Sequence, residues 1–257
     1  MKQVRLSMLS VVLRVATIVT AAVFMVPVLL TILKSFDQNG ILTLEGYRQL
    51  LFNCFPLYTF FWNSIIDTVL ITAGTLLIAI PAAFAFKFAQ FKGKKLLYIT
   101  YIVIMMMPLQ VTILPNYIGL RDMGILNSRM AVIVPMLFAP FGVVVIHQYM
   151  REIDCGVIEA ARLETNSVIR ILLHGILPQI RVCIAATALF VYAQTWNMVE
   201  QPLLYVDDDK LRTLSTFIAG ADKYSPEVLL PASVLFMIPV FLCYLMFHEE
   251  LKAGLKL

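Results

Sequence analysis

The side chains that most often carry chemistry are few in this chain and lie far apart. The three histidines and four cysteines lack the short spacings at which these residues hold a metal or form a disulfide framework. A membrane-embedded hydrolase would need a nucleophile with a base, or a metal cluster, within the apolar segments. The scattered set does not supply one. Its members are His147, His174, His248, Cys54, Cys155, Cys183 and Cys243.

Two acidic motifs approach known ligand patterns and then depart from them. Asp207-Asp208-Asp209 is not followed by the glutamate that completes an EF-hand-type calcium loop. The motif that starts at His248 has Lys252 where a zinc protease carries its second histidine. The sequence also contains no Walker lysine motif and no glycine-rich phosphate loop. We therefore expect no cofactor or metal on this chain, and any ATP must be bound by another chain.

The composition is typical of a protein that crosses a membrane several times. Of the 257 residues, 60% are hydrophobic and 14% are charged, whereas a soluble domain has about 25% charged residues. The net charge of +4 is modest, and no basic-aromatic pattern indicates nucleic acid. The predicted fold class is therefore an all-α polytopic membrane protein.

Six apolar segments are long enough to be membrane helices. Lysines cluster between Lys87 and Lys95, after the second segment, and the positive-inside rule places this loop in the cytoplasm. With six spans, both termini are then cytoplasmic. We expect one transmembrane domain over residues 1–257. The predicted spans are residues 11–33, 65–86, 96–117, 131–149, 182–204 and 228–247.

Local signals within this pattern give three further expectations. Residues 34–62 read as a loop, after which Asn63 or Ser64 caps the second span. Pro108 and Pro115 predict a kink in the third span.

Residues 151–181, here called the coupling segment, are helical in pattern and carry repeated charge. Residues 158–163 are mostly good helix formers, and apolar residues recur with helical spacing after residue 167. Thr165, Asn166 and Ser167 interrupt the pattern, and each can cap a new helix. Asp154 is expected to cap the first helix. The segment is therefore predicted to form two short helices joined by a tight turn.

The residue identities in this segment resemble a known family. Glu159-Ala160-Ala161, followed after the turn by Ile176-Leu177-Pro178, resembles the EAA loop of ABC importer permeases. Trp196-Asn197 and Pro202-Leu203 are similar to a pattern of the carbohydrate-type members, including the smaller maltose or oligosaccharide permease subunit. The resemblance implies type I importer architecture with six helices.

In that family the loop docks on the ATP-hydrolysing subunit. The resemblance therefore predicts ATPase coupling by Glu159, Ala160, Ala161, Arg162, Thr165 and Asn166. Glu159 has two possible partners, a basic group on the ATPase or Arg162 three residues on. The family's turn glycine falls on Thr165, so we expect Asn166 to take the positive φ instead.

Polar residues in the apolar segments are candidates for the translocation pathway, because buried polar groups need partners. These are Gln110, Gln194, Asn197 and Glu200. Packing offers an alternative, in which Gln110 bonds a neighbouring helix and Trp196 is an interfacial anchor. In the resembling family the last outer loop reaches the solute-binding protein. The predicted contacts there are Asp207, Asp208, Asp209 and Lys210.

The resemblance implies a permease subunit of an ATP-driven importer. It further implies that the solute is a sugar or oligosaccharide and that the membrane is a bacterial or archaeal cytoplasmic (inner) membrane. Its partners would be a second, non-identical permease, two ATP-binding subunits that hold ATP and Mg, an external solute-binding protein and membrane lipid, without nucleic acid. The chain itself would not be an enzyme. The alternative is an ion- or proton-driven carrier, for which Asp67 is the only acidic residue well inside a predicted span.

One substitution tests the coupling segment. Ala161→Trp places bulk where the family's loop approaches its ATPase closely, and we expect it to abolish ATP-coupled transport while the subunit stays in the membrane. Transport assays with membrane immunoblots measure both quantities. Transport at the wild-type rate would contradict the docking role.

Overall fold

The computed structural model describes residues 2–38, 40–220 and 224–254, which are largely helical. The mainly helical class is thus confirmed. The helices are α1 (Lys2–Ser35), α2 (Glu45–Arg48), α3 (Phe55–Phe88), α4 (Lys94–Met105), α5 (Leu109–Asp122), α6 (Arg129–Leu137), α7 (Pro140–Met150), α8 (Cys155–Glu164), α9 (Val168–Arg170), α10 (Arg181–Trp196), α11 (Glu200–Tyr205), α12 (Leu214–Ala219) and α13 (Pro226–Gly254). Two π-helical turns, Gln49–Asn53 and Ile171–Ile176, and a 3₁₀ turn, Asp209–Leu211, complete the helical elements.

Four of the described helical stretches are long and apolar enough to cross a membrane. They are Val12–Ser35, Pro56–Phe88, Arg129–Met150 and Pro226–Glu250. Two bent pairs pass the same test only together, so the number of candidate spans rises to six if each pair is one span. The pairs are Lys94–Met105 with Leu109–Asp122, bent by 107°, and Val168–Ile176 with Arg181–Trp196, bent by 91°.

The third predicted span is a broken helix rather than a kinked one. Met107 closes the end of α4 through its amide, which donates to the Ile104 carbonyl at 3.0 Å. Pro108 then adopts φ −59° and ψ 143°, outside the helical region, and α5 begins at the next residue. Proline has no amide hydrogen and disfavours helix in the residue before it, so the break falls here. Pro115 lies inside α5 without ending it.

The fifth predicted span, residues 182–204, contains two helices. The helix α10 ends at Trp196, and α11 begins at Glu200. Asn197 caps α10, and its side-chain amide donates to the Ala193 carbonyl at 2.8 Å. Pro202 is the third residue of α11, and proline is tolerated in the first turn of a helix but not in its interior. A helix that contains Pro202 therefore has to restart shortly before it.

The predicted loop over residues 34–62 is wrong at its end, because α3 already begins at Phe55. Before α3 the chain forms a small hairpin in which β1 (Asp37–Gln38) pairs antiparallel with β2 (Ile41–Leu42). The hydroxyls of Ser35 and Tyr47 lie 2.8 Å apart and join the end of α1 to α2. These elements belong to the first of two compact units, Met1–Phe55 with Gly220–Met237.

The second compact unit comprises Pro56–Ala219 and Ile238–Leu257, and it contains two buried clusters. The first cluster packs α3, α7, the coupling segment and the start of α10. Its buried members are Ala79, Ala83, Phe86, Val143, Ile146, Met150, Ile153, Ile158, Ile171, Ile176, Ile180 and Cys183. The second cluster packs α3, α5, α6, α10 and the Met198–Val206 stretch. Its buried members are Ile71, Leu120, Ala131, Val132, Ile133, Val191, Met198, Tyr205 and Val206.

Two lysines of the predicted cytoplasmic cluster bind helix ends. The Lys94 ammonium donates to two carbonyls at the end of α3. The Ala89 carbonyl, just beyond the helix, accepts at 2.8 Å, and the Lys87 carbonyl, in its last turn, accepts at 3.2 Å. The Lys87 ammonium donates to the Arg151 carbonyl at 3.0 Å, at the end of α7. Cations at helix carboxyl ends satisfy free carbonyls and complement the helix dipole.

Gly142 lies where three helices meet. A Cβ atom at this position would come within 3.1 Å of the Ala79 Cβ, 3.3 Å of the Thr75 Cγ2 and 3.9 Å of the Thr187 Cγ2. Glycine therefore allows α7 to approach α3 and α10 closely, the packing typical of small residues in membrane helices.

We expect Gly142→Leu to destabilise the subunit by about 1–3 kcal/mol or more, the usual range for overpacking. The control is Gly119→Leu, because a Cβ at Gly119 of α5 would meet nothing within 4 Å. Thermal unfolding of the detergent-purified protein measures the difference. Equal unfolding temperatures for the two variants would show that Gly142 is not a tight helix contact.

Candidate functional site

The coupling segment begins with the predicted aspartate cap. The Asp154 Oδ1 accepts a hydrogen bond from the Gly156 amide at 3.1 Å, and α8 starts at Cys155. Such a cap satisfies an amide that has no partner inside the helix. The expectation that aspartate starts this helix is confirmed.

The turn after α8 is extended. Thr165 has φ −152° and ψ 140°, and its Oγ1 accepts from the Ser167 amide at 3.2 Å. The Ser167 Oγ then accepts from the Arg170 amide at 3.4 Å and caps α9. The expected positive φ at Asn166 is wrong, because Asn127 is the only non-glycine residue with positive φ in the described ranges. A β-branched residue suits an extended backbone, so Thr165 fits without glycine.

The second helix of the coupling segment is anchored in the protein core. Ile171 and Ile176, at the two ends of the π-helical turn, and Ile180 are all buried in the cluster that contains α7. The Gln179 side-chain amide donates to the Gly175 carbonyl at 2.7 Å as the chain turns toward α10. A displacement of this segment must therefore move residues packed against α3 and α7.

The predicted coupling residues differ in burial. Glu159, Arg162 and Asn166 are exposed, Thr165 is half-buried, and Ala161 packs partly against the core cluster. The side chain of Ala160 lies outside the described residues. Within the described chain Glu159 forms no ion pair with Arg162, so the local alternative for Glu159 is not observed.

Sequence reasoning missed an apolar surface on the same segment. Leu163 is 90% exposed, although it lies on a short helix outside every candidate span. Three further exposed apolar residues follow it, and we call the four together the coupling patch: Leu163, Val168, Ile169 and Leu173. The four lie within eleven residues of the chain, and exposed apolar patches mark interaction surfaces. No local signal indicates this exposure, because which side of each helix packs against the core is a tertiary property.

The predicted pathway residues lie on three helices of the second unit. Gln110 is in the first turn of α5, Gln194 is in the last turn of α10, Asn197 caps α10, and Glu200 opens α11. All four side chains are exposed in the isolated chain. Their part in a pathway stays a prediction.

The four predicted binding-protein contacts are exposed as well. The Asp208 Oδ1 accepts from the Lys210 amide at 2.9 Å and caps the 3₁₀ turn. The Asp209 carboxylate forms an ion pair with Arg212 at 2.7 Å. Two of the three aspartates thus shape the turn, while Asp207 and Lys210 present their side chains to solvent.

Asn63 and Ser64 do not cap a helix as expected, because both lie well inside α3. They bind a distant segment instead. The Asn63 Nδ2 donates to the Lys210 and Arg212 carbonyls at 2.7 and 2.9 Å, and the Ser64 Oγ accepts from the Leu214 amide at 2.8 Å. Both side chains are buried, so these bonds are formed away from water.

Arg129, the first residue of α6, completes this group. Its Nη2 donates to the Asn63 Oδ1 at 2.7 Å, and its Nη1 forms an ion pair with Asp67, one turn along α3. The Asp67 side chain is 4% exposed and that of Arg129 is 26% exposed. We call Asn63, Ser64, Asp67 and Arg129 the Asn63 network. It joins α3 and α6 through residues that lie more than 60 positions apart in the sequence.

The fold and the site together define a helical, multi-pass membrane protein with the coupling segment between two apolar stretches. Residues 74–247 match the model of the family described as binding-protein-dependent transport system inner membrane component. The chain belongs to this family. It is therefore an inner-membrane transport component of an ABC importer rather than an enzyme, and its family implies separate ATPase and binding-protein partners.

Individual relatives agree with this assignment. The chain is 27% identical over 259 residues to the arabinooligosaccharides transport system permease protein AraQ of Halalkalibacterium halodurans, covering 93% of this chain and 91% of that protein. It is 25% identical over 222 residues to the sn-glycerol-3-phosphate transport system permease protein UgpE of Brucella abortus, with coverage of 82% and 79%.

A solved structure has the same fold. It is a chain of a bacterial ABC transporter involved in the import of the acidic polysaccharide alginate, with a TM-score of 0.80 and 19% identity. The match covers 94% of this chain and 96% of that chain. The fold of this chain therefore occurs in a solved ABC transporter.

We expect Arg129→Met to destabilise the subunit by about 3–5 kcal/mol, because it leaves the buried Asp67 carboxylate without its partner. The control is Arg121→Met. Arg121 pairs with Asp122 at 3.1 Å, but both side chains are at least 60% exposed, and such pairs contribute about 0–1 kcal/mol. Thermal unfolding of the two detergent-purified variants measures the contrast. Equal loss of stability would contradict the importance of burial.

Proposed function

We propose that this chain is one permease subunit of a type I ABC importer for a sugar or oligosaccharide. The coupling patch on α8, α9 and the following turn is the observation that carries the proposal, because it offers an exposed apolar surface between α7 and α10 on which an ATPase can dock. The substrate class is supported by relatives whose names specify arabinooligosaccharides and lactose. The second of these relatives, the lactose transport system permease protein LacG of Rhizobium radiobacter, is 23% identical to this chain over 198 residues.

The proposed topology has six spans and cytoplasmic termini. The pair α4–α5 is the third span. The helix α10, which follows the coupling segment, is the fifth. The 16 residues of α10 extend about 24 Å at 1.5 Å per residue, and α11 adds length beyond the break. The lysines at the end of α3 and the coupling segment then share the cytoplasmic side, as the positive-inside rule favours.

Coupling is proposed to act through a rigid connection. The coupling patch would lie against the ATPase, with Glu159, Ala160, Ala161, Arg162, Thr165 and Asn166 in or beside the contact. Ile171, Ile176 and Ile180 hold the other side of the segment in the core. ATP-driven closure of two ATPases would thereby move α3, α7 and α10 and change which side of the pathway is open.

The transport machine is proposed to contain a second, non-identical permease as well as the external binding protein. Between Val12 and Lys34 of α1 no residue is buried in the isolated chain, so in the assembly this stretch faces lipid or another subunit. Gln110, Gln194, Asn197 and Glu200 are proposed to border the pathway between the two permeases. Asp207, Asp208, Asp209 and Lys210 are proposed to face the binding protein.

The alternative of an ion- or proton-driven carrier is less well supported. Such a carrier needs an ionisable residue at membrane depth that exchanges its ion during transport. Asp67 was the candidate, and in the structure its carboxylate is paired with Arg129. A carboxylate held in this way is better suited to a structural role.

The proposal is tested by mild detergent extraction of the native complex followed by mass spectrometry. An ATP-binding subunit and a second six-helix permease should co-purify, and sugar uptake into reconstituted vesicles should require ATP and the binding protein. Recovery of the chain alone or as a homodimer, with uptake driven by an ion gradient, would overturn the proposal in favour of the alternative.

Leu163→Glu should greatly reduce recovery of the ATPase in this experiment, since a charge replaces an apolar side chain in the docking contact. We expect at least a tenfold loss of ATP-dependent uptake, about 1.4 kcal/mol. Leu163→Met is the matched control, because methionine keeps the apolar contact, and it should behave as the wild type.

Leu163 is a sharper probe than Ala161, whose side chain also packs partly against the core. At 90% exposure, Leu163 can be changed without disturbing the fold. Normal ATPase recovery and uptake with Leu163→Glu would show that the coupling patch is not the docking surface.

A further inference from the structure

A second residue anchors the segment that the Asn63 network binds. The Asn127 Oδ1 accepts hydrogen bonds from the Asp207 and Asp208 amides, both at 2.9 Å. Asn127 lies in the connection between α5 and α6 with φ 57°, and its own amide donates to the Tyr205 carbonyl at 2.9 Å. Asparagine tolerates this left-handed conformation better than most residues.

Hydrogen bonds to backbone groups thus hold residues 207–214 in place along the whole segment. Asn127 binds the amides at its start, Asn63 binds the carbonyls of Lys210 and Arg212, and Ser64 binds the amide of Leu214. The Asn63 amide is fixed in turn by Arg129, which is fixed by the buried Asp67.

The anchoring bonds involve the backbone of Asp207 and Lys210 and not their side chains. Both side chains are exposed, and the hydrogen bonds described above use main-chain atoms of these two residues. The stretch Asp207–Lys210 thus has a fixed backbone and exposed residues, which preorganises it for binding, because it loses little conformational freedom on contact with a partner.

We infer that Asn127 and the Asn63 network are positioning residues that set the affinity of this permease for its external binding protein. They do so by fixing the backbone of residues 207–214 before the two proteins meet. This inference rests on the proposed function, in which the segment lies on the outer side. It goes beyond that function by assigning the affinity to residues that do not themselves touch the binding protein.

Asn127 offers a matched pair of variants at an exposed position. Asn127→Gly keeps a residue that accepts a positive φ but removes the acceptor for the two amides. Asn127→Asp keeps an acceptor oxygen at the same place. Because Asn127 is exposed, both variants should fold.

The experiment uses the complete complex in lipid vesicles and the binding protein recovered with it. ATP hydrolysis is measured at increasing concentrations of that protein. For Asn127→Gly the half-saturating concentration should rise roughly tenfold, as expected for the loss of two hydrogen bonds, while the maximal rate stays unchanged. For Asn127→Asp it should stay within about twofold of the wild-type value.

Hydrogen–deuterium exchange of the same complexes reports on the backbone directly. The Asp207 and Asp208 amides should exchange faster in Asn127→Gly than in the wild type, and at the wild-type rate in Asn127→Asp. A purely structural role in folding would instead lower the maximal rate or the amount of complex.

The outcomes separate the inference from the function on which it rests. An unchanged half-saturating concentration for Asn127→Gly, or unchanged amide exchange, would overturn the inference and leave the importer intact. Failure of the binding protein to stimulate ATP hydrolysis in the wild type would overturn the proposed function and this inference with it.

Discussion

The structure depends on one constraint, which is that backbone amides and carbonyls inside a hydrocarbon layer must find partners within the protein. This requirement explains why the apolar stretches are helices, since a helix satisfies its own backbone. It also explains what happens at the breaks. Where α10 ends, the Asn197 side chain adds a second hydrogen bond to the Ala193 carbonyl, and where α3 ends, Lys94 binds two carbonyls. Polar side chains thus bind the carbonyls at these helix ends.

The same constraint distinguishes the buried polar residues of this chain from its exposed apolar ones. Asn63, Ser64 and Asp67 are buried and have partners, so they stabilise one arrangement of α3 and α6. The coupling patch is the converse, with apolar side chains left in contact with solvent. Both are departures from simple hydropathy. The first is satisfied inside the chain, and for the second we propose the ATPase as the partner.

Local signals in the sequence predicted the parts that local physics controls. The apolar runs, the Asp154 cap and a change of direction near Pro108 follow from composition, capping and the missing proline amide, although the structure has a break there instead of the predicted kink. The roles of Asn63 and Ser64 could not be predicted in this way, because their partners lie about 150 residues away in the sequence. Asn166 was expected to replace a turn glycine, but the turn is extended and needs none. The exposure of Leu163 depends on which face of α8 packs against the core, and that is a tertiary property.

The anchoring of residues 207–214 through main-chain atoms has a consequence for evolution. Because the anchoring bonds from Asn63, Ser64 and Asn127 all end on backbone groups, they impose no requirement on the side chains at Asp207 and Lys210. Drift at those two positions can alter surface charge without altering the path of the chain. A permease lineage could thus adapt to a new extracellular partner by a few surface changes while inheriting the shape of the loop unaltered.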